Sequence, residues 1–222
     1  MRFEVLDLGF VRYAEGWRCQ LRLHAEIAAG LRAPTLVLCE HPRTLTLGRT
    51  ADRTHVLRDD AWLRRHRFDV HAVERGGDVT YHGPGQLVGY PLFPVGRRVR
   101  SFLETLGEAI VEVAQSYGLP ARFELDPAGV WIANDKLCAF GVAVRDRVAF
   151  HGFALNVATA LDDFSAIVPC GLHGRGVTSL SAAVGEVVAV ADARDRTVDA
   201  LHRTFASWDA GATGRPEAAC LA

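Results

Sequence analysis

Lysine is almost missing from this 222-residue chain: lysine and arginine together number 25, and every one except Lys136 is arginine. Surface charge is therefore handled by guanidinium groups. A partly buried lysine can lose its proton and an arginine cannot, so Lys136 is a candidate for work that arginine could not do. The plain alternative is a solvated lysine at a strand end. A surplus of positive charge is missing too. The net charge is −1, which removes the electrostatic case for a nucleic acid or an anionic membrane as partner. Two basic clusters, Arg64-Arg65-His66-Arg67 and Arg97-Arg98-Val99-Arg100, are offset by acids elsewhere and read as solvated faces. No apolar run approaches the ~18–20 residues of a membrane span. The opening MRFEVLDLGFVRY alternates like a strand and lacks a leader peptide's apolar core. The five cysteines, Cys19, Cys39, Cys138, Cys170 and Cys220, are odd in number, scattered and without a CxxC. That argues against a disulfide framework or structural zinc and for a cytoplasmic chain with reduced thiols.

No repeat or linker divides the chain, and its length suits one large domain. Residues 3–13 read as a strand and 14–29 as a helix, with Trp17, Leu21 and Ala28 at helical spacing and Gly30 as the stop. Residues 35–39 form a buried strand, broken at His41-Pro42 and resumed over 44–47. Asp59 caps a short helix to Phe68, and 70–73 is a strand. The clearest helix is 101–117, with Leu103, Leu106, Ile110, Val113 and Tyr117 on one face and Ser101 and Glu104 patterned as a capping box. Residues 130–132, 137–144 and 148–157 read as an antiparallel meander with a turn at Asn134-Asp135. A last helix spans about 195–208. Together these elements make one α/β (α+β) domain over 1–210, with 211–222 as a flexible tail.

Two glycine-rich stretches carry the chemistry. The first is Arg75 to Leu92, RGGDVTYHGPGQLVGYPL; the second is Phe164 to Leu180, FSAIVPCGLHGRGVTSL. Glycine is retained where backbone turns sharply or approaches a ligand closely. Cys170, in Pro169-Cys170-Gly171 near His173 and Arg175, is the best nucleophile candidate, because neighbouring cations and N–H groups favour the thiolate. Cys19, Cys39 and Cys138 sit in apolar periodic runs and read as core thiols. Lys136 and Cys138 are two apart in a strand, which places them on one face and makes Cys138 a rival nucleophile. His82, His151 and His173 fit no zinc spacing, and Arg75-Gly76-Gly77 lacks the order of a phosphate loop.

Those two stretches, KLCAFGVAV with HGFALNV, and the earlier EHPRTLTLGR closely resemble, in order and spacing, the signature blocks of the lipoyl(octanoyl) transferase family. The resemblance runs from about Leu36 to Leu180. It implies the fold shared by biotin and lipoate protein ligases, a mixed or antiparallel sheet with surrounding helices. It also implies an acyltransferase of lipoate biosynthesis and protein lipoylation. Octanoate (or lipoate) would arrive as a thioester on the phosphopantetheine of acyl carrier protein and pass through a cysteine acyl-thioester to a lysine. The acceptors would be lipoyl domains of 2-oxoacid dehydrogenase E2 subunits and the glycine cleavage H protein. The family's Cys–Lys pair maps onto Cys170 and Lys136. Its acyl-binding positions map onto Arg75, Gly76, Gly77, Asp78, Val79, Thr80, Tyr81 and His82, then Ala139, Phe140 and Gly141, then Gly152, Phe153 and Ala154. No metal or other cofactor is implied, and the enzyme is expected to be a monomer. Phe140 and Phe153 stand where aliphatic residues are common, which leads us to expect them beside the acyl slot. An ATP-dependent ligase of the same fold and a non-catalytic carrier-binding module are the competing readings.

Overall fold

Strands rich in small and apolar residues occupy the centre of the molecule, whose computed structural model describes residues 1–168 and 175–209. The chain runs β1 (Glu4–Phe10), α1 (Tyr13–Ala28), β2 (Thr35–Glu40), β3 (Thr44–Leu47), α2 (Asp60–Arg65), β4 (Asp69–Ala72), β5 (Val79–His82) and β6 (Gln86–Leu92). It continues through α3 (Val99–Gln115), β7 (Ala121–Leu125), β8 (Ala128–Ile132), β9 (Asp135–Arg145) and β10 (Val148–Asn156). Last come β11 (Gly176–Val177), α4 (Leu180–Val184) and α5 (Val190–Thr204). The main sheet has the order β1-β2-β6-β10-β9-β8-β7, with β11 paired to β9. It is mixed: β1 with β2 and β11 with β9 run parallel, and the other pairs are antiparallel. A second sheet, β4-β3-β5, stands apart from it.

Strand alternation gives the main sheet two apolar faces. On one, Phe102, Leu106 and Ile110 of α3 and Leu201 of α5 pack with Leu36, Leu38, Leu87, Phe153 and Leu155. Each such side chain contributes ~1.5–3 kcal/mol by leaving water. On the other, Leu23 and Ile27 of α1 meet Val37, Val88, Tyr90 and Phe150. The second sheet has a core of its own, in which Leu45, Val79 and Tyr81 pack with Leu63, Phe68 and Phe164. None of the described helices is long and apolar enough to cross a membrane.

Several expectations change. Residues 44–47 do not resume β2; they pair with β4 and β5 in the second sheet. Strand β7, ARFEL, alternates apolar and polar residues, a local strand signal that sequence reasoning passed over. The turn before β9 is Ala133-Asn134, because Ile132 pairs with Asp135. The capping box is absent. Helix α3 begins at Val99, without a side-chain cap, so Ser101 already lies in the first turn and its carbonyl accepts from the Thr105 hydroxyl. Glu104 pairs with Arg100 instead. Arg98 is not simply solvated either, since its guanidinium carbon lies 4.2 Å from the Trp208 ring centre. The last helix starts at Val190 rather than 195 and ends at Thr204. The other end of α3 follows its sequence: Gly118, at φ +75°, supplies the left-handed residue that stops a helix. Residues 211–222 lie outside the described residues.

Candidate active site

Strands β9 and β10 pair Ala139 with Ala154 and Gly141 with Gly152. Directly opposed residues share a face, so four small residues lie side by side and border a slot; a Cβ on Gly141 would meet Arg75 Cδ at 2.9 Å and one on Gly152 the Gly89 carbonyl oxygen at 2.2 Å. Val88 and Tyr90 of β6 continue that surface, while Thr80 and His82 of β5 and the loop residues Arg75, Gly77 and Asp78 form the facing wall. Tyr13 and His151 complete the lining of a slot of about 490 Å³, open mouth included. A second hollow of about 300 Å³ is lined by Gln86, Lys136, Asn156, Phe164 and Val177 together with Thr80, Ala139 and Ala154. The last three residues border both spaces. The hollow that Lys136 lines therefore adjoins the slot.

Most of the sequence-predicted substrate residues border the slot: Arg75, Gly77, Asp78, Thr80, His82, Ala139, Phe140, Gly141, Gly152, Phe153 and Ala154. Gly76, Val79 and Tyr81 do not. The alternation of β5 turns Val79 and Tyr81 into the second sheet's core, and the Gly76 N–H donates to the Val142 carbonyl at 2.9 Å. Phe140 and Phe153 border the slot, but their rings pack toward the α3 side. Phe153 belongs to that core and Phe140 packs against it, with Phe140 5.8 Å from Phe123 and 6.3 Å from Phe153. A Cβ on Gly89 would lie 2.1 Å from the tip of the Phe153 ring, so this ring occupies the space that a side chain there would take. Both residues thus border the slot while their rings pack with the core.

A chain of buried polar groups stiffens the facing wall. Arg75, 8% exposed, donates from Nε to the Thr46 hydroxyl at 3.1 Å and from Nη2 to the Thr46 carbonyl at 2.6 Å. The Thr46 hydroxyl is 3.4 Å from His82 Nε2, and His82 Nδ1 meets Gln86 Oε1 at 2.9 Å. Gln86 Nε2 donates to Asn156 Oδ1 at 2.9 Å, and Asn156 Nδ2 donates to the Thr178 carbonyl at 2.9 Å. The Thr178 N–H in turn reaches the Lys136 carbonyl at 3.0 Å. Burial drives the histidines toward the neutral form. His82 falls to about 3 and His151, with burial the largest cause and Arg75 next, to about 3. His41, expected as a turn residue, is buried, falls to about 4 through burial, and bridges the Val11 carbonyl and the Tyr90 hydroxyl, both at 2.7 Å. These imidazoles position neighbours rather than carry charge.

Lys136 and Cys138 do not share a face. The β8–β9 register shifts between Val130 and Trp131, with Trp131 opposite Lys136 and Val130 opposite Cys138. Leu137 is thus the extra residue of a β-bulge, which breaks the alternation. Leu137 and Cys138 both enter the α3-side core, while Lys136 and Ala139 face the hollow. Burial pushes the Cys138 thiol up, well above its ordinary range, so it is poorly suited to act as a thiolate. Cys39 is buried as expected, whereas Cys19 is only half-buried. Cys170, Gly171 and His173 lie outside the described residues. Before them, Val168 N–H donates to the His55 carbonyl at 2.8 Å; after them, Arg175 pairs with Glu124 at 2.9 Å and Val177 runs beside Lys136. Among the described residues, no three His, Cys, Asp or Glu side chains are grouped to hold a metal ion.

Sequence reasoning missed Tyr13, Val88, Tyr90 and His151 as lining residues. Val88 and Tyr90 could have been found from the alternation that starts at Gln86. Tyr13 comes from α1, and nothing local signals it.

The chain is similar to known proteins over most of its length. The family profile described as the lipoyl protein ligase A/B catalytic domain matches residues 12–202. The chain is 45% identical over 223 residues to an octanoyltransferase of Deinococcus radiodurans, covering 93% of this chain and 66% of that protein. It is 41% identical over 210 residues to one from Caldicellulosiruptor bescii, covering 92% of each. Among solved structures, it is similar to a bi-partite lipoate protein ligase of Thermoplasma acidophilum, with TM-score 0.72, 19% identity and 93% and 84% of the two chains covered. It is also similar in fold to a biotin protein ligase from Aquifex aeolicus, with TM-score 0.52, 11% identity and 93% and 69% covered. With most of its length matched by one family and by relatives above 40% identity, the chain belongs to the lipoyl protein ligase A/B catalytic domain family.

Proposed function

We propose that this chain, an octanoyl acyltransferase of protein lipoylation, takes its acyl group from a carrier-protein thioester and passes it through Cys170 to a lysine of a lipoyl domain. The observation that carries the reading is that the slot and the Lys136 hollow adjoin, with Thr80, Ala139 and Ala154 bordering both. Cys170 stands in sequence between Phe164 and Val177, both of which line that hollow. The octanoyl chain lies along the small residues of β9 and β10, each buried methylene contributing ~0.8 kcal/mol.

The Cys170 thiolate attacks the thioester carbonyl, and the departing phosphopantetheine thiolate takes a proton from the Lys136 ammonium. The lysine is left as an amine. When the acceptor lysine attacks the acyl-enzyme, an amide forms, the Cys170 thiolate leaves, and Lys136 accepts the proton that the acceptor nitrogen sheds. The starting ion pair is restored. A thioester is already activated, so the balance of this reaction needs neither ATP nor a metal. Acyl carrier protein is the donor, the acceptors are E2 lipoyl domains and the glycine cleavage H protein, and the setting is cytoplasmic.

Intact-mass measurement after mixing with octanoyl-carrier protein tests this. The expected result is one octanoyl adduct that is lost in Cys170→Ala. Transfer that needs free octanoate and ATP would replace the reading with an adenylating ligase.

A further inference from the structure

Lys136 is held by more than its own strand. Trp131, its register partner on β8, is fully buried, and Lys136 Nζ sits 4.7 Å from the centre of the indole ring. The guanidinium carbon of Arg175 lies 3.4 Å from the same ring centre. Arg175 also donates two hydrogen bonds to Glu124, at 2.9 and 3.0 Å. Its hydrogen bond holds the Glu124 carboxyl below the usual carboxylate range, so the arginine's charge is matched beside the ring. Gly129 supplies an independent observation. A Cβ there would lie 2.8 Å from the Cys138 carbonyl oxygen, 3.1 Å from Lys136 Cε and 3.3 Å from Trp131 Nε1. A side chain at 129 would therefore crowd the β9 backbone as well as the lysine stem and the indole.

We propose that Trp131 is a positioning residue whose indole face, braced by Arg175–Glu124 and cleared by Gly129, aims the Lys136 ammonium at the reactive end of the slot. The negative face of an indole attracts a cation within about 6 Å, and more strongly where water is excluded. Lysine carries its charge on a flexible four-carbon stem, so a seat of this kind decides where the amine spends its time. The inference rests on the role given to Lys136 under the proposed function and names what makes that role possible.

Because Lys136 is the only lysine in the chain, lysine-selective ¹³C labelling gives a single ε-methylene signal. In the wild type this signal is expected upfield of free lysine through the indole ring current. Trp131→Leu should return it to the free position, and Trp131→Phe should keep part of the shift. A wild-type signal at the free-lysine position overturns the proposal, whatever the activity. In parallel, Trp131→Leu should lower kcat for octanoyl transfer by about tenfold while the donor KM stays within about twofold, and Trp131→Phe should recover most of the loss. No loss in Trp131→Leu, or an equal loss in both, also overturns it. Trp131→Phe keeps an aromatic face and decides the matter if Trp131→Leu fails to fold: part of the shift and most of the rate should remain, and a signal at the free-lysine position with the wild-type rate refutes the seat. Transfer surviving in Lys136→Ala, with the wild-type shift present, would instead remove the catalytic role of Lys136 and leave the seat standing.

Discussion

The two faces of the β9–β10 pair are built from the same two strands and share almost nothing else. On one, Ala139, Gly141, Gly152 and Ala154 border the slot, with Arg75 in the place of a Gly141 side chain and the Gly89 carbonyl in that of a Gly152 side chain. On the other, Cys138, Phe140, Phe153 and Leu155 fill theirs against α3 and α5. A sheet can thus carry a ligand slot directly on the back of its core, provided that one face gives up side-chain volume. The bulge at Leu137 decides which face receives Lys136. Of the buried histidines, His82 and His151 border the slot.

The largest effect belongs to the thiols. Cys170→Ala should remove the octanoyl adduct and lower transfer by ~10³-fold or more, while Cys138→Ala leaves the adduct intact. An adduct that survives on Cys138 would erase the distinction between the faces. Next is packing: Phe153→Ala should cost ~3–5 kcal/mol of stability, read from the urea midpoint, with the ratio of C8 to C12 transfer unchanged. A changed ratio would return that ring to the slot wall.

Acid should weaken the slot side. His82, His151 and His41 have pKa values of about 3, 3 and 4 in the folded chain, below the ordinary value near 6.5. The unfolded chain then binds more protons as pH falls through 6.5. Stability is complete above that pH and is lost progressively toward 4 and 3, by up to ~1.4 kcal/mol per pH unit for each histidine. A urea midpoint that stays flat between pH 6.5 and 4.5 would show that these rings are not held neutral. The smallest effect is steric. Ala154→Leu should occupy the slot and reduce octanoyl transfer about tenfold, ~1.4 kcal/mol, while a C4 thioester is retained. Equal loss for C4 and C8 would mean that the slot does not hold the chain.

How far the sequence could be read depended on whether a feature is local. The faces of α1 and α3 and the hairpins from β8 to β10 follow from spacings within one segment. So does Asp59 as a cap, accepting from the Trp62 N–H at 2.7 Å. The switch of β3 to a second sheet depends on partners far along the chain, and the residues themselves look the same in either sheet. The bulge is harder still. One inserted residue reverses the alternation, so Lys136 and Cys138, two apart, reach opposite sides. Tyr13 reaches the slot only because α1 packs across the sheet. The first glycine-rich stretch was legible as a site wall because glycine there answers to close approach: a Cβ on Gly85 would lie 2.5 Å from the Ala158 carbonyl oxygen. Its division between slot and core awaited the register.

The solitary lysine has a consequence for self-modification. An enzyme that carries an activated acyl group keeps a reactive thioester close to its own surface for as long as the acceptor is absent. Twenty-four arginines, which resist acylation because they stay protonated, cover the needs of charge. The one side-chain amine is 5% exposed and lies against an indole. On the proposed mechanism, stray transfer from an acyl-enzyme to neighbouring copies of the chain would find no exposed lysine to accept it.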